Sequence, residues 1–388
     1  MPPKAYTPVE MIERLVGFDT TSRDSNLKLI HFVADYLREH GVASTLIPNA
    51  DGSKANLYAT IGPRGLGGVV LSGHTDVVPV DGQEWHTDPF VVTRRGSRLY
   101  GRGTSDMKSF SAVALALLPE FLAARLKRPV HLALSYDEEV GCLGAPGIIE
   151  HFVKNGPRPE LCIVGEPTEM QVVDAHKSIV AVDTTVTGFE AHSSATHMGV
   201  NAIMVAAELM GELARIGDDF KARKVPNAER FDPPYSTISV GMIQGGTARN
   251  IIPRQCVFRW DCRMLPGQDD NEVIERLRRF AERDVLPRLR KIHPGADIVI
   301  DKRHSVVPLR PDPGSPAEVL AHALAGSNST HAASYATEAG LFQTAGVPTI
   351  ICGPGNIREA HKPNEFIELE QVEACVGFMR RLMRRLAE

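Results

Sequence analysis

The chain has 388 residues, of which 43% are hydrophobic and 23% charged, and its formal net charge is −4. That length allows two domains, and the absence of a basic run interleaved with aromatic residues argues against a nucleic-acid partner. No apolar stretch reaches the ~18–20 residues of a membrane span, and no secretory signal is visible. The six cysteines are scattered without a C-x-x-C pair, so we expect buried, reduced thiols in a cytoplasmic protein.

The first half of the chain alternates between helical and strand patterns. Apolar residues at helical spacing predict two helices within residues 8–40 and further helices over Met107–Leu126 and Ala145–Val153. Continuous apolar runs predict the buried strands Asn56–Ile61, Gly68–Ser72, Val130–Ser135 and Leu161–Gly165. Such strands, alternating with helices, are typical of an α/β sheet that helices cover on both faces.

A different pattern begins near His176. Period-two strands and amphipathic helices follow in a β-α-β-β-α-β order, which is that of a small ferredoxin-like α+β domain. The strands are predicted over Ser178–Val186, Thr237–Gly241, Gln255–Met264 and Ala296–Lys302, and the helices over Gly199–Ile216 and Asp269–Leu289. The α/β pattern then returns, with predicted helices 316–326, 338–345 and 369–386 and the strand 348–352. We therefore expect a catalytic domain formed by residues 1–176 and 305–388, interrupted by an inserted domain over 177–304.

Acidic and imidazole side chains stand near the ends of the predicted α/β strands. In chain order they are His74, Asp76, Asp106, Glu138, Glu139, Glu166 and His361. The carboxyl ends of neighbouring strands meet in one crevice of an open sheet, so we expect these side chains to converge. Imidazoles and carboxylates suit zinc, cobalt or manganese, and one carboxylate can bridge two ions. The series predicts a two-metal hydrolase with a spare carboxylate that acts as a base.

Each of these residues also has an ordinary structural explanation when it is taken alone. Asp106 could cap the helix that follows it, Glu138 and Glu139 could form a solvated turn, and His74 could be a hydrogen-bonded polar residue. Their shared position at strand ends, flanked by glycines and apolar residues, favours the metal site.

Several segments resemble the motifs of the M20 family of di-zinc amidohydrolases and peptidases. They are Ser72–Pro79 (SGHTDVVP), Gly101–Lys108 (GRGTSDMK), Asp137–Glu139 (DEE), Val164–Thr168 (VGEPT) and the late His361. The resemblance implies an α/β, zinc-peptidase-like catalytic domain with a mixed sheet covered by helices. It also implies that the inserted ferredoxin-like domain is a lid and dimerisation domain.

The same resemblance implies a role for each site residue. His74 and Glu166 hold one divalent ion, His361 and Glu139 hold the other, and Asp106 bridges the two, with zinc expected and cobalt plausible. Asp76 orients the His74 imidazole, as a partner carboxylate does in many metal sites. Glu138 is the general base, which takes a proton from water and passes it to the leaving amine.

Two segments of the inserted domain, Gly188–Ser194 and Gly245–Pro253, resemble lid motifs of the family. The resemblance implies that His192 stabilises the oxyanion across a dimer interface and that Asn250 and Arg263 hold the substrate carboxylate. His197 is an alternative to His192, and Arg263 could instead be an ordinary surface residue of its strand. If His192 acts across the interface, the protein is a homodimer.

Within the family, four segments resemble those of the acetylornithine deacetylase group. They are Ser135–Cys142, Asp174–Lys177, Ala336–Gln343 and Cys352–Glu365. The substrate predicted on this basis is a small N-acyl amino acid, acetylornithine, cleaved to ornithine and acetate in arginine biosynthesis. Glu338 is then a candidate for recognising the ammonium group of ornithine, directly or through a neighbouring residue. An equal alternative is that Glu338 is an ordinary residue in the first turn of its helix, where the helix dipole favours a negative charge.

Two other functions stay open at this point. Another M20 hydrolase, such as a succinyl-diaminopimelate desuccinylase, an aminoacylase or a dipeptidase, would use the same chemistry with a different pocket. A non-catalytic amino-acid-binding protein would require a damaged site, whereas the predicted ligands and the base are all present.

Overall fold

The computed structural model describes residues 3–388, and these residues fall into two units. The first unit contains residues 3–175, 311–331 and 337–388, and the second contains residues 176–310 and 332–336. The second unit is therefore longer than the predicted insertion at both ends, and it includes a short return segment that the sequence pattern did not indicate.

The secondary structure alternates helices and strands along the whole chain. The strands are β1 (Ser44–Pro48), β2 (Ala55–Ile61), β3 (Val69–His74), β4 (Thr93–Arg95), β5 (Arg98–Tyr100), β6 (Val130–Ser135), β7 (Leu161–Pro167), β8 (Val172–His176), β9 (Ile179–Thr187), β10 (Thr237–Gly245), β11 (Gln255–Arg263), β12 (Asp297–Val306), β13 (Thr330–Ala333), β14 (Thr349–Gly353) and β15 (Phe366–Glu368). The helices are α1 (Pro8–Val16), α2 (Leu27–Glu39), α3 (Lys108–Ala116), α4 (Leu118–Ala123), α5 (Ala145–Asn155), α6 (Ala202–Ala222), α7 (Glu272–Phe280), α8 (Leu286–Ile292), α9 (Pro316–Ala325), α10 (Ala339–Thr344) and α11 (Leu369–Ala387).

The larger sheet has eight strands in the order β1-β2-β6-β3-β7-β14-β8-β13. Its central strands β6, β3, β7 and β14 run parallel to one another. Strands β1 and β2 on one side, and β8 on the other, pair antiparallel with their neighbours. Every residue of the four central strands is buried, as expected for strands covered on both faces. The predicted mixed sheet is confirmed.

Helix α3 packs against β3 and β7 and also contacts α1 and α11, and all its residues are buried. Two glycines allow this close approach. A Cβ at Gly165 would lie 2.0 Å from Cγ of Phe110, and one at Gly73 would lie 2.7 Å from Oγ of Ser111. The contact at Gly165 involves the base of an aromatic ring and cannot be relieved without moving α3 or β7, whereas the Ser111 hydroxyl near Gly73 could rotate away, so the need for glycine is strongest at position 165.

The second unit contains a four-stranded antiparallel sheet in the order β10-β11-β9-β12. Burial alternates along β9 and β11, because one face of the sheet packs on helices and the other does not. Helices α6, α7 and α8 supply the covering layer, with Leu209, Leu277 and Leu289 in a core with Trp260 of β11. The β-α-β-β-α-β order agrees with the predicted ferredoxin-like arrangement.

Two predicted helices are each interrupted in the structure. The helix predicted over Met107–Leu126 is divided into α3 and α4, and Pro119 lies at the start of α4. The helix predicted over Asp269–Leu289 contains a π-helical segment, Ala281–Val285, just before Pro287. Proline lacks an amide hydrogen and clashes with the preceding turn, which accounts for both interruptions.

All six cysteines are buried and unpaired, as predicted. Among the helices of residues 3–388, none combines the length and the apolar character needed to cross a membrane.

Candidate metal centre

The carboxyl ends of the four parallel strands bring most of the predicted ligands together. His74 is the last residue of β3, and Glu166 is the last residue but one of β7. Glu139 follows β6, and His361 follows β14 after a short 3-10 turn. Since these strands are adjacent and parallel, their ends share one edge of the sheet. The predicted convergence is therefore what the topology produces.

Asp106 lies between the two imidazoles. The distance from Nε2 of His74 to Oδ1 of Asp106 is 3.0 Å, and Glu166 Oε1 is 3.9 Å from the same nitrogen. On the other side, Nε2 of His361 is 3.3 Å from Oδ2 of Asp106 and 3.1 Å from Oε2 of Glu139. Each oxygen of one carboxylate thus faces a different imidazole–carboxylate pair, which is the arrangement that a bridging ligand requires.

The donor set fits divalent metal ions. One group of ligand atoms comes from His74, Glu138 and Glu166, a second comes from His74, Asp106 and Glu139, and within each group all atoms lie within 4.8 Å of one another. Among the described residues, Oε1 of Glu166 is buried and accepts no hydrogen bond. A buried carboxylate oxygen without a partner is costly unless a cation pairs with it. Imidazole and carboxylate donors are suited to zinc and to similar ions.

The electrostatics of the protein alone show how strongly this cluster needs cations. Burial raises the pKa of Glu138 and of Glu166 well above the ordinary value, and neighbouring carboxylates raise both further. Burial lowers the pKa of His74, but the bond to Asp106 and the surrounding carboxylates outweigh it, so this pKa is well above normal. Hydrogen bonds to Asp106 and Glu139 raise the pKa of His361 to about 10. Divalent cations at this cluster would supply the positive charge that the protonated imidazoles supply in the protein alone.

Asp76 has a different contact from the one predicted. Nδ1 of His74 donates to the backbone carbonyl of Asp76 at 2.9 Å, whereas the carboxylate oxygen Oδ1 is 3.7 Å away. The carboxylate instead accepts the backbone N–H groups of Glu138 at 3.0 Å and Glu139 at 3.2 Å, and the Ser22 hydroxyl at 2.7 Å. The main chain of Asp76 thus orients the imidazole, while its side chain holds the backbone of the Glu138–Glu139 pair.

A contact of Asp137 fixes the turn that precedes Glu138. Asp137 has a φ of 55°, a region that few non-glycine residues adopt. Its carboxylate is paired with the Lys54 ammonium, which also donates to the Ser22 carbonyl. Lys54 and the Asp76 carboxylate together hold the backbone on both sides of the Asp137–Glu138 peptide bond, and this backbone orients the Glu138 side chain.

Glu338 does not offer a free carboxylate to a substrate. It is 1% exposed, and its two oxygens accept hydrogen bonds from Ser72 at 2.5 Å and Ser135 at 2.8 Å. Burial raises the pKa of its carboxyl group, and the two hydroxyls partly offset that effect. The predicted direct contact with an ammonium group is therefore not what this geometry favours, because the side chain is enclosed by residues of β3 and β6.

The three remaining predicted residues belong to the second unit, and their roles stay predictions. His192 is exposed, and its Nδ1 lies 2.7 Å from the Ser194 hydroxyl oxygen and 3.2 Å from the Ser194 backbone nitrogen. The backbone carbonyl of Asn250 accepts the backbone N–H of Ser193 at 3.0 Å. Nε of Arg263 is 3.6 Å from a carboxylate oxygen of Asp261.

Sequence reasoning missed several residues that support the site. Cys142 donates its thiol to Oε1 of Glu138 at 3.4 Å, and Glu365 binds the segment before Asp106. Both residues lie in segments with a family resemblance, Ser135–Cys142 and Cys352–Glu365, which was the only available signal. Ser22 stands far from any motif, so no local pattern pointed to it.

The site combines imidazole and carboxylate donors around a shared aspartate. It lies at the carboxyl edge of an α/β sheet, and this combination is that of a metal-dependent hydrolase. Residues 70–385 match Peptidase family M20/M25/M40, and the chain belongs to that family.

Solved structures of other proteins share the fold over nearly the whole chain. A tripeptidase from Staphylococcus aureus is 16% identical, with 100% of each chain covered and a TM-score of 0.77. An M20 family metallo-carboxypeptidase from Sulfolobus solfataricus is 20% identical, covering 98% of this chain and 99% of its own, with a TM-score of 0.75. A dinuclear metal-binding M20 peptidase from Bacillus subtilis is 17% identical, with coverages of 98% and 96% and a TM-score of 0.67. At these identities the likeness concerns the fold.

Proposed function

We propose that the protein hydrolyses the N2-acetyl amide of acetylornithine to ornithine and acetate with two divalent metal ions. The observation that carries the hydrolytic part is Asp106, whose two oxygens face separate imidazole–carboxylate pairs beside the further carboxylate Glu138. The substrate rests on the resemblance of four segments to the acetylornithine deacetylase group. The proposed setting is arginine biosynthesis in the cytoplasm.

In this proposal His74 and Glu166 hold one ion, His361 and Glu139 hold the other, and Asp106 joins them. Zinc is the proposed metal, and cobalt would satisfy the same donors. Two such ions, when bound, activate a water molecule and polarise the amide carbonyl.

Glu138 performs the proton transfers. It accepts the proton of the attacking water and delivers it to the departing amine nitrogen, so that the ornithine leaves as a neutral amine before it is protonated in solution. Burial raises the pKa of Glu138, and a raised pKa suits a carboxylate that must both take and return a proton. The Asp76 carboxylate accepts the backbone N–H of Glu138 at 3.0 Å, and this contact would help to orient the base toward the attacking water.

Residues of the second unit are proposed to bind the rest of the substrate. Nε2 of His192 would donate a hydrogen bond to the oxyanion that forms on the amide carbonyl. Asn250 and Arg263 would hold the α-carboxylate, for which the guanidinium offers a two-pronged donor. We retain Glu338 as an indirect determinant of specificity, acting through its charge and through Ser72, two residues before the ligand His74.

We further propose a homodimer formed through the second unit. Strand β10 lies at the edge of its sheet, and its residues from Ser239 to Gly245 are exposed. Among them, Met242 is 60% and Ile243 is 52% exposed. An exposed apolar edge strand invites pairing with another chain, and a second copy of this unit would cover it. In that assembly His192 of the partner subunit would complete each site.

A second hydrolase function deserves comparison because of the structural relatives. They include a human carnosine dipeptidase and the Staphylococcus aureus tripeptidase, although both are below 20% identity with this chain. A peptidase would use the same metal ligands and the same base, and only the substrate pocket would differ.

The test is a panel of amides given to the zinc-loaded enzyme. It contains N2-acetylornithine, N-succinyl-diaminopimelate, N-acetylmethionine and a dipeptide, and Glu138→Gln is the matched control. We expect the highest kcat/KM for acetylornithine and a loss of about 10²–10⁴ in kcat for the Gln variant. A better dipeptide substrate would support the peptidase alternative, and full activity in Glu138→Gln would refute the assigned base.

The same panel examines Glu338. A Glu338→Gln enzyme should lose part of the preference for acetylornithine over neutral N-acetyl amino acids. An unchanged preference would remove Glu338 from the substrate-determining residues.

A further inference from the structure

His361 is the least enclosed of the predicted metal ligands. Its side chain is 54% exposed, whereas those of Asp106 and Glu139 are 8% exposed and that of His74 is 1% exposed. It also lies in a loop, with a φ of 64°, and no strand or helix fixes its backbone. Other contacts must therefore keep the His361 imidazole close enough to Asp106 for both to bind the same ion.

One anchor of that set is Glu365, which is buried and binds the chain just before Asp106. Its Oε1 accepts three backbone N–H groups, from Gly103 at 3.0 Å, Ser105 at 2.8 Å and Asp106 itself at 3.1 Å. Its Oε2 accepts a hydrogen bond from Nη1 of Arg102 at 2.8 Å. Since Glu365 is only four residues after His361, this carboxylate ties the loop of one ligand to the loop of the other.

Arg102 and Gln83 provide a second connection between the same two loops. Nη2 of Arg102 donates to Oε1 of Gln83 at 2.7 Å, and Nε2 of Gln83 donates to the backbone carbonyl of His361 at 2.9 Å. Trp85 donates to the same Gln83 oxygen at 3.1 Å, and its ring lies 5.2 Å from the Arg102 guanidinium. Each end of the Gln83 amide therefore has a defined partner.

Asn364, three residues after His361, also fixes the His361 loop. Oδ1 of Asn364 accepts the backbone N–H of His86 at 2.8 Å, and Nδ2 of Asn364 donates to the Glu84 carbonyl at 3.3 Å. These bonds fix the position of the loop relative to residues 83–86, but they do not reach Asp106.

We propose that Gln83, Arg102 and Glu365 are positioning residues that hold His361 at the correct distance from Asp106, and so determine whether the second metal ion is bound. We call these three residues the Glu365 cross-link. The inference rests on the two-metal site proposed above. The first ion would lie between His74 and Glu166, which are fixed by β3 and β7, and of its ligands only the shared Asp106 contacts the Glu365 cross-link.

Gln83 gives the cleanest test because its side chain touches the His361 backbone and no ligand side chain. Gln83→Met keeps the length of the side chain but removes the donor to His361 and the acceptor for Arg102. Gln255→Met, a change on β11 of the second unit, is the matched control. His361→Ala and Glu166→Ala serve as references that lack one ligand of the second or the first ion.

The measurement is zinc stoichiometry and affinity against a chelator of known affinity, with the unfolding midpoint of the metal-free protein as a second readout. We expect Gln83→Met to bind its first ion as the wild type does and its second ion ~10–100-fold more weakly, the usual effect of losing a supporting contact. It should resemble His361→Ala and not Glu166→Ala, and its metal-free unfolding midpoint should match that of Gln255→Met.

Equal weakening of the binding of both ions would overturn the inference, and so would two ions bound by Gln83→Met with wild-type affinity. A lowered unfolding midpoint without selective loss of the second ion would also overturn it, because the cross-link would then be merely structural. A wild-type protein that binds fewer than two ions would instead refute the proposed function, so the two failures are distinguishable.

Discussion

The side chains around Asp106 show how single contacts define the chemistry of the centre. Asp106 faces two imidazoles, and the carbonyl of Asp76 fixes one of them through its other nitrogen. A hydrogen bond to the second nitrogen sets the tautomer of a histidine and leaves Nε2 free to bind a metal. Among residues 3–388, no imidazole lies within 4.0 Å of the Glu138 carboxylate, which agrees with the base role proposed for it.

Cys142 should influence catalysis through Glu138. Burial raises the pKa of the Cys142 thiol well above its ordinary value, so the group stays protonated and donates to Glu138 at 3.4 Å. Cys142→Ala removes the donor, whereas Cys142→Ser keeps one. We expect kcat to fall about fivefold in the Ala variant, as for the loss of about 1 kcal/mol of hydrogen bonding, and to be largely retained in Ser. Equal kcat values for the two variants would show that the thiol only fills space.

Metal binding should release protons near neutral pH. The pKa of His361 is raised to about 10 and that of His74 is raised well above its usual value when protons alone balance the carboxylates. Both imidazoles must lose a proton to bind a metal, so metal affinity should increase as the pH rises through 7. Titration calorimetry in two buffers of different ionisation enthalpy measures the released protons. Identical heats in the two buffers would contradict this prediction.

At the scale of elements, the site depends on how closely α3 approaches the sheet. Helix α3 begins two residues after Asp106, and Phe110 of this helix lies against Gly165 of β7. Gly165 immediately precedes the ligand Glu166. The packing of one helix on two strands therefore determines where three ligands meet.

Gly165→Ala should destabilise the fold. The added Cβ would lie 2.0 Å from the Phe110 ring, so α3 or the strand must move. Overpacking of this kind costs about 1–3 kcal/mol of unfolding free energy, which chemical denaturation of the metal-free protein can measure. Gly211→Ala is the control, because its Cβ on α6 would meet nothing within 4 Å and should be stabilising by about 0.5–1 kcal/mol. A Gly165→Ala protein as stable as the wild type would contradict the packing argument.

The elements that sequence reasoning predicted are those with long, periodic or continuously apolar patterns. Strands β3, β6 and β7 and the helices α6 and α11 are of this kind. The strands β8 and β13 were missed because they are short and lie toward one edge of the sheet. Neither segment is a continuous apolar run, because β8 reads Val-Val-Asp-Ala-His and β13 reads Thr-His-Ala-Ala.

The same limit applies to the site. The predicted ligands could be identified from the sequence because the carboxyl ends of neighbouring parallel strands lie at the same edge of an α/β sheet. The hydrogen bond from the Asp106 backbone N–H to Glu365 joins residues 259 positions apart, and the buried Glu338 carboxylate accepts hydroxyls from two separate strands. No local pattern reports such contacts, so they required the three-dimensional structure.

At the scale of the whole molecule, the two units contain different groups of the residues that take part in the proposed reaction. The first unit contains all the predicted metal ligands together with Glu138, whereas the second contains His192, Asn250 and Arg263. The second unit also has the exposed apolar strand β10, which is the proposed surface for a second copy. Assembly and catalysis are linked if His192 of the partner subunit serves each site.

A charged substitution on β10 should separate the subunits. We expect the double variant Met242→Lys and Ile243→Lys to be monomeric by light scattering and to lose most of its activity while keeping its metal ions. Val299→Lys, at a half-exposed position on the opposite edge strand β12, is the control and should remain dimeric. A wild-type monomer, or a double variant that stays dimeric, would contradict the proposed assembly.

The central claim is that Asp106 joins two metal ions, and anomalous diffraction from zinc-loaded crystals tests it most directly. We predict two anomalous peaks per chain, one beside His74 and Glu166 and one beside His361 and Glu139, both in contact with Asp106. At ~3.5–4 Å, their separation would match that of other two-metal hydrolases. A single peak, or a pair of peaks away from Asp106, would contradict the account.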